Sequence, residues 1–195
     1  VRRVIDTCSD GTPNILEVGV GRAMHLIKLV AKFGELANWY GFNSVELDNH
    51  GGIQGIGFIY GDFTRSETWS LETGLELGSI DLAFSHLTFQ HLPDPLRSFV
   101  NARKLLNEKG GRLLIDSLFV KSAEGAEVDL IESLCTEFEL YGVEFQVIEE
   151  ARKGIRFKHL QMMKNGDQPP DDQLFADIGS LLREKDPRFV EYAPI

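Results

Sequence analysis

Cysteine is scarce in this chain: Cys8 and Cys135 are the only two among 195 residues, and no close Cys or His spacing accompanies them. Neither a disulfide framework nor a zinc site is therefore expected, and a cytoplasmic, reducing setting fits best. No apolar run approaches the roughly 18 residues that a membrane span needs, so no membrane role is expected, and nothing resembles a signal peptide. Basic residues are the minority, 20 Lys and Arg against 30 Asp and Glu, for a formal charge of -10. A phosphate backbone is bound mainly by clustered cations, and Arg2-Arg3 is the only adjacent arginine pair. Nucleic acid is accordingly not the expected partner, and a small molecule or a protein side chain is the better substrate.

What is present suits one globular domain. A hydrophobic fraction of 43% over 195 residues is enough for a core without staples. Asn14 to Val18 is a short apolar strand that runs into two glycines, and Arg22 to Phe33 places Met24, Leu26, Ile27, Val30 and Phe33 at helical spacing, with Gly34 ending the helix. Trp39 to Phe42 predicts a second strand, Ile53 to Ile59 a connection or short strand, and Ile80 to Ser85 a strong central strand. Pro95 to Asn107 predicts a helix that Gly110-Gly111 ends, followed by a strand over Arg112 to Leu118. Glu127 to Tyr141 has the pattern of an amphipathic helix, and Phe145 to Glu150 with Ile155 to Met163 that of an antiparallel hairpin.

Alternating strands and helices predict an α/β fold, a Rossmann-like, doubly wound and mostly parallel sheet with the hairpin as an antiparallel edge. In such sheets ligands lie beyond the carboxyl ends of the strands. That places LEVGVGRA, WYGFN, GDF and SHLTFQH on one rim. Past Asn165 the polar, proline-containing NGDQPPDDQ marks a boundary: residues 1–165 are expected to form the domain and 166–195 an extension, serving as lid, docking arm or solvated end.

The glycine turn LEVGVGRAMH (16–25) decides between cofactor classes. A dinucleotide fingerprint wants a third glycine where Met24 stands, and Glu17 is an awkward neighbour for a pyrophosphate. A cationic ligand would welcome that carboxylate. A glycine turn also has a purely structural use, packing strand against helix.

Glu17-x-Gly19-x-Gly21-x-Ala23 resembles the first motif of class I S-adenosylmethionine-dependent methyltransferases. The stretch GSIDLAFSHLTFQHLPDPLRSFVNARKLLNEKGGRLLIDS is similar to the family's later block, with an Asp opening the central strand, a His-Leu-Pro loop, and a helix running to Gly-Gly. The resemblance covers approximately Asn14 to Asn165. It implies a seven-stranded sheet, S-adenosylmethionine as cofactor, and methyl transfer to an O, N or C nucleophile by in-line displacement.

By the same resemblance, Glu17, Gly19, Gly21 and Ala23 form the cofactor turn. Asn43 stands where an acid usually takes the ribose hydroxyls, and Glu46 or Asp48 could replace it; equally, Asn43 is a turn residue and both acids are solvated. Asp62 and Phe63 match the adenine-contacting segment, although Asp62 could instead cap the segment after it. Ser85, His86 and Leu87 fall near the reacting end of the cofactor. His86 and His91 are the candidate bases, with loop support as the alternative for His91. Asp116 could orient substrate or close a strand end, and Phe89, Phe119 and Tyr141 could wall a pocket or belong to the core.

The absence of an Asn/Asp-Pro-Pro-Tyr/Phe segment after the central strand separates the chain from exocyclic-amine nucleic-acid methyltransferases. Positioning and desolvation are the main demands of methyl transfer, so no triad is expected. The short segment before Asn14 raises the expectation of a fragment, or of a substrate cover supplied by 121–126, by the tail, or by a partner chain as a homodimer or larger polypeptide. Departures at Asn43 and in this segment keep open a non-catalytic, methyltransferase-like binding or regulatory module.

Overall fold

The computed structural model describes residues 1–8, 11–65, 69, 76–86, 88–115, 119–121, 127–129, 145–152, 155–165, 173, 176–177 and 180. Strands β1 (Asn14–Val18), β2 (Asn38–Asn43), β3 (Ile56–Tyr60), β4 (Leu82–Ser85), β5 (Lys109–Ile115), β8 (Phe145–Arg152) and β9 (Ile155–Asn165) form one sheet in the order β3-β2-β1-β4-β5-β9-β8. The pairs from β3 through β5 are parallel. Within this sheet β9 and β8 run antiparallel, which is the doubly wound sheet with a hairpin edge that the alternation predicts. Its order reverses between β1 and β4, and that crevice is where such sheets receive ligands.

Burial explains why these strands form. Ile15, Leu16, Val18, Leu82, Ala83, Leu113 and Ile115 are buried, as expected for strands covered on both faces. Helix α2 (Met24–Phe33) lays Leu26 and Phe33 against Ile15, Trp39 and Leu82, while the short α1 (Arg2–Thr7) adds Val4. Met24 does not join that face. It is the first helical residue and is 57% exposed. Helix α3 (Pro95–Leu105) begins at an Asp94 cap whose carboxylate accepts from the Arg97 amide at 2.8 Å, and it buries Phe99, Val100, Ala102 and Leu105.

Two boundaries differ from the sequence expectation. The pair Gly110-Gly111 does not end α3, which stops at Leu105; both glycines lie inside β5. Gly111 is needed there because a side-chain carbon would come within 2.6 Å of the Asn107 nitrogen and 2.8 Å of the Ile80 oxygen. Glu127–Asp129, expected to open a helix, instead forms strand β7, paired antiparallel with β6 (Phe119–Lys121). The Glu-Val-Asp alternation suits a strand as well as a first helical turn, and pairing to Val120 settles it. Residues 130–141 of the expected helix lie outside the described residues, as do Leu87, Asp116, Cys135 and Tyr141. Of the residues after 165, those at 173, 176, 177 and 180 are described, and they are helical. Among the described residues no helix is long and apolar enough to cross a membrane.

Candidate functional site

The chain leaves β1 through three left-handed positions: Gly19 (φ 77), Gly21 (φ 49) and Ala23 (φ 58). Glycine adopts this geometry freely, and Ala is the smallest residue that has to strain to do so. The amides of Gly19 and Val20 both donate to the Phe42 carbonyl at 2.9 and 3.0 Å, pinning the turn to the end of β2. On the other side, the buried Ser85 hydroxyl donates to the Val18 carbonyl at 3.0 Å. Ser85, expected at the cofactor, thus ties β4 to β1 and does not line the cavity that follows.

That cavity, ≈ 390 Å³, lies beyond the carboxyl ends of β1, β2 and β3, with Gly19, Asn43, Asp62, Phe63, Thr88 and His91 among its lining residues. Its size suits a nucleoside-class ligand. Asn43, which lines the cavity, donates its amide to the Val45 carbonyl at 2.8 Å, the turn role, which leaves Oδ1 as its side-chain acceptor. Glu46 and Asp48 are exposed and do not line it. The Glu46 charge acts instead on Tyr60, whose phenol is pushed up first by burial and then by that carboxylate.

Asp62 Oδ1 accepts from the Thr64 amide at 2.9 Å and from its hydroxyl at 2.7 Å. The local cap foreseen as an alternative is therefore present, and Asp62 also lines the cavity. Phe63 lines it too but is only 2% exposed, packed edge-on against Phe42 and stacked on Trp69. Phe89 is fully buried beside Phe63 and belongs to the core. Sequence reasoning missed Asn101, whose amide reaches across from α3 to the Phe63 carbonyl at 2.8 Å and fixes this wall.

Thr88 was missed as well. It packs directly on Gly19, where its side chain takes the space that a side chain at 19 would need. The glycine is thus required by a protein neighbour as well as by its φ, and Thr88, which lines the cavity, sits against the residue that follows β1.

A second cluster forms at β1. Glu17 is 3% exposed, and its Oε1 lies 3.1 Å from Nδ1 of the half-exposed His25. The His25 ring meets His86 edge-on at 5.2 Å. Glu17 Oε2 has no hydrogen-bond partner among the described residues. Burial raises the Glu17 carboxyl above its ordinary value, opposed by the His25 hydrogen bond and charge, the Leu26 amide and the His86 charge. A buried carboxylate with an unpartnered oxygen is a receptor for an ammonium group or a bridging water. Of the two candidate bases, His86 sits in this cluster and His91 at the cavity; the structure does not bring them to one place.

No family model matches the chain, and no curated protein matches it in sequence. Solved structures do match in fold. A SAM-dependent methyltransferase from Aquifex aeolicus superposes with TM-score 0.56 at 18% identity, over 77% of this chain and 81% of that one. The trans-methyltransferase CalH, in complex with S-adenosylhomocysteine (SAH), gives 0.58 at 14% identity over 80% of this chain; the chain spans about half, 52%, of CalH. A complex between the Haloferax volcanii Trm112 methyltransferase activator and a putative methyltransferase gives 0.59 at 10% identity, over 87% and 90%. The fold is the class I S-adenosylmethionine-dependent methyltransferase-like fold.

Proposed function

We propose that the chain is an S-adenosylmethionine-dependent methyltransferase acting on a small molecule, with residues 1–165 as the catalytic domain and 166–195 as an extension. The observation that supports this most is a nucleoside-sized cavity at the switch point of a class I sheet, bounded by the left-handed Gly19 turn. Asn43 Oδ1 would accept from a ribose hydroxyl, Asp62 would face the base, and the unpartnered Glu17 oxygen would take the ammonium group or its water. The cofactor supplies a methyl group on a sulfonium. The chain's own residues hold it, exclude water and aim the acceptor for in-line displacement, while His86 takes the acceptor's proton where there is one to lose. A cytoplasmic setting belongs to the same reading.

Calorimetric titration with S-adenosylmethionine and SAH tests it. One-to-one binding of both is the expected result, and silence with both would remove the reading.

The packing of Thr88 on Gly19 favours a second reading. In it, protein atoms permanently occupy part of the cofactor's path, and the domain serves as a binding or regulatory module for a polypeptide partner; the Haloferax neighbour is itself in complex with a polypeptide, a methyltransferase activator. Binding of a partner without any response to either ligand would support it.

A further inference from the structure

The glycine turn is pinned at its base by Phe42, but at its tip it rests on a residue that no cofactor motif contains. His50, in the short helix His50–Gly52, is 2% exposed. Its Nε2 lies 2.7 Å from the Gly21 carbonyl and its Nδ1 lies 3.1 Å from the Tyr60 hydroxyl. The ring stacks on Phe58 at 4.1 Å with planes 10° apart, and Tyr60 continues the stack at 5.9 Å. Beside it, Asn49 approaches the Arg22 carbonyl at 3.4 Å.

The partners fix the tautomer. A carbonyl can only accept, so Nε2 carries the hydrogen and donates to Gly21; Nδ1 then pairs with the Tyr60 hydroxyl, which can donate or accept. Both nitrogens of a buried imidazole are thereby satisfied, and stacking leaves the ring little freedom. Gly21 itself has open space around the position of a side-chain carbon, so no side chain of its own restrains the turn.

We propose that His50 is a positioning residue for the cofactor turn: held by Tyr60 and Phe58, it donates to the Gly21 carbonyl and keeps the left-handed turn in its ligand-receiving shape. This rests on the S-adenosylmethionine reading above. It makes β3 and the loop before it part of the site, through Tyr60 and Phe58, although neither residue lines the cavity.

Three variants test it by SAH affinity. His50→Phe preserves the stack and removes the donor; affinity falls about tenfold. His50→Gln restores an N–H and keeps affinity within about threefold of wild type, a rescue that loss of packing alone would not give. Tyr60→Phe keeps the Gly21 carbonyl, which selects the tautomer, and removes only the partner of Nδ1, so ¹⁵N spectra of the His50 ring stay in the Nε2–H form. Wild-type affinity in His50→Phe, or equal losses in His50→Phe and His50→Gln, overturns the proposal and leaves the cofactor reading standing. Failure of wild type itself to bind SAH removes both. Should His50→Phe not fold, the comparison of His50→Gln with wild type and the tautomer spectra decide: a loss beyond threefold, or a ring that is not in the Nε2–H form, overturns the clamp.

Discussion

Gly19→Ala separates the two reasons for a glycine after β1. An alanine at φ 77 costs about 1–2 kcal/mol for the left-handed backbone alone. Its side-chain carbon would also lie 2.6 Å from Thr88 Cβ and closer still to the outer atoms of that side chain, and forcing such an overlap costs typically 1–3 kcal/mol. The sum is about 2–5 kcal/mol, a large share of a domain's stability. Thr88→Gly in the Gly19→Ala background removes the overlap and not the backbone strain, so about 1–3 kcal/mol should return. Urea denaturation of wild type, both single variants and the double variant closes the cycle and isolates the coupling. Additive effects, or a Gly19→Ala loss under about 0.5 kcal/mol, would refute the packing of Thr88 on the turn. Whether Thr88→Gly alone strengthens SAH binding tells which of the two functional readings the contact serves.

Other outcomes follow from the same structure. Asp62→Asn keeps Oδ1 for Thr64 and should leave the urea midpoint nearly unchanged, while Asp62→Ala loses the cap, costing about 0.5–2 kcal/mol; a larger stability loss in Asp62→Asn would contradict the cap. Glu17→Gln tests the buried carboxyl. Because burial raises it above 4.5, the folded chain holds that proton more tightly than the unfolded chain, and its contribution to stability is full below that value and declines as pH rises through the raised one. The variant should therefore gain on wild type as pH rises from about 4.5 through the raised value, measured by denaturation at a series of pH values; a pH-independent difference would contradict the sign. Gly111→Ala meets only backbone atoms and should lose about 1–3 kcal/mol or more, with a wild-type urea midpoint as the refuting result.

The sheet was largely legible because its signals are local. The apolar runs of β1 and β4 and the glycines after β1 are written in consecutive residues, and the β8–β9 hairpin follows its turn. Ala23 is fully buried at a left-handed position, so the last motif position favours a small side chain. What the sequence hid are contacts between distant segments. His50 reaches Gly21 across 29 positions and Asn101 reaches Phe63 across 38, and a single His or Asn carries no local mark of such a partner. The Glu17–His25 pair is closer, yet its geometry depends on how α2 leaves the turn. Gly110-Gly111 misled for a physical reason: glycine ends helices and also permits close backbone approach, and only the packing of Ile80 on β5 shows which applies.

The most direct test of the central claim is a crystal structure of the chain grown with SAH. Nucleoside density is expected in the cavity, with Asn43 at the ribose, Asp62 and Phe63 at the base, and Gly19 beneath, Thr88 having yielded. A cavity without the nucleoside, or SAH bound elsewhere while Thr88 stays on Gly19, would contradict it.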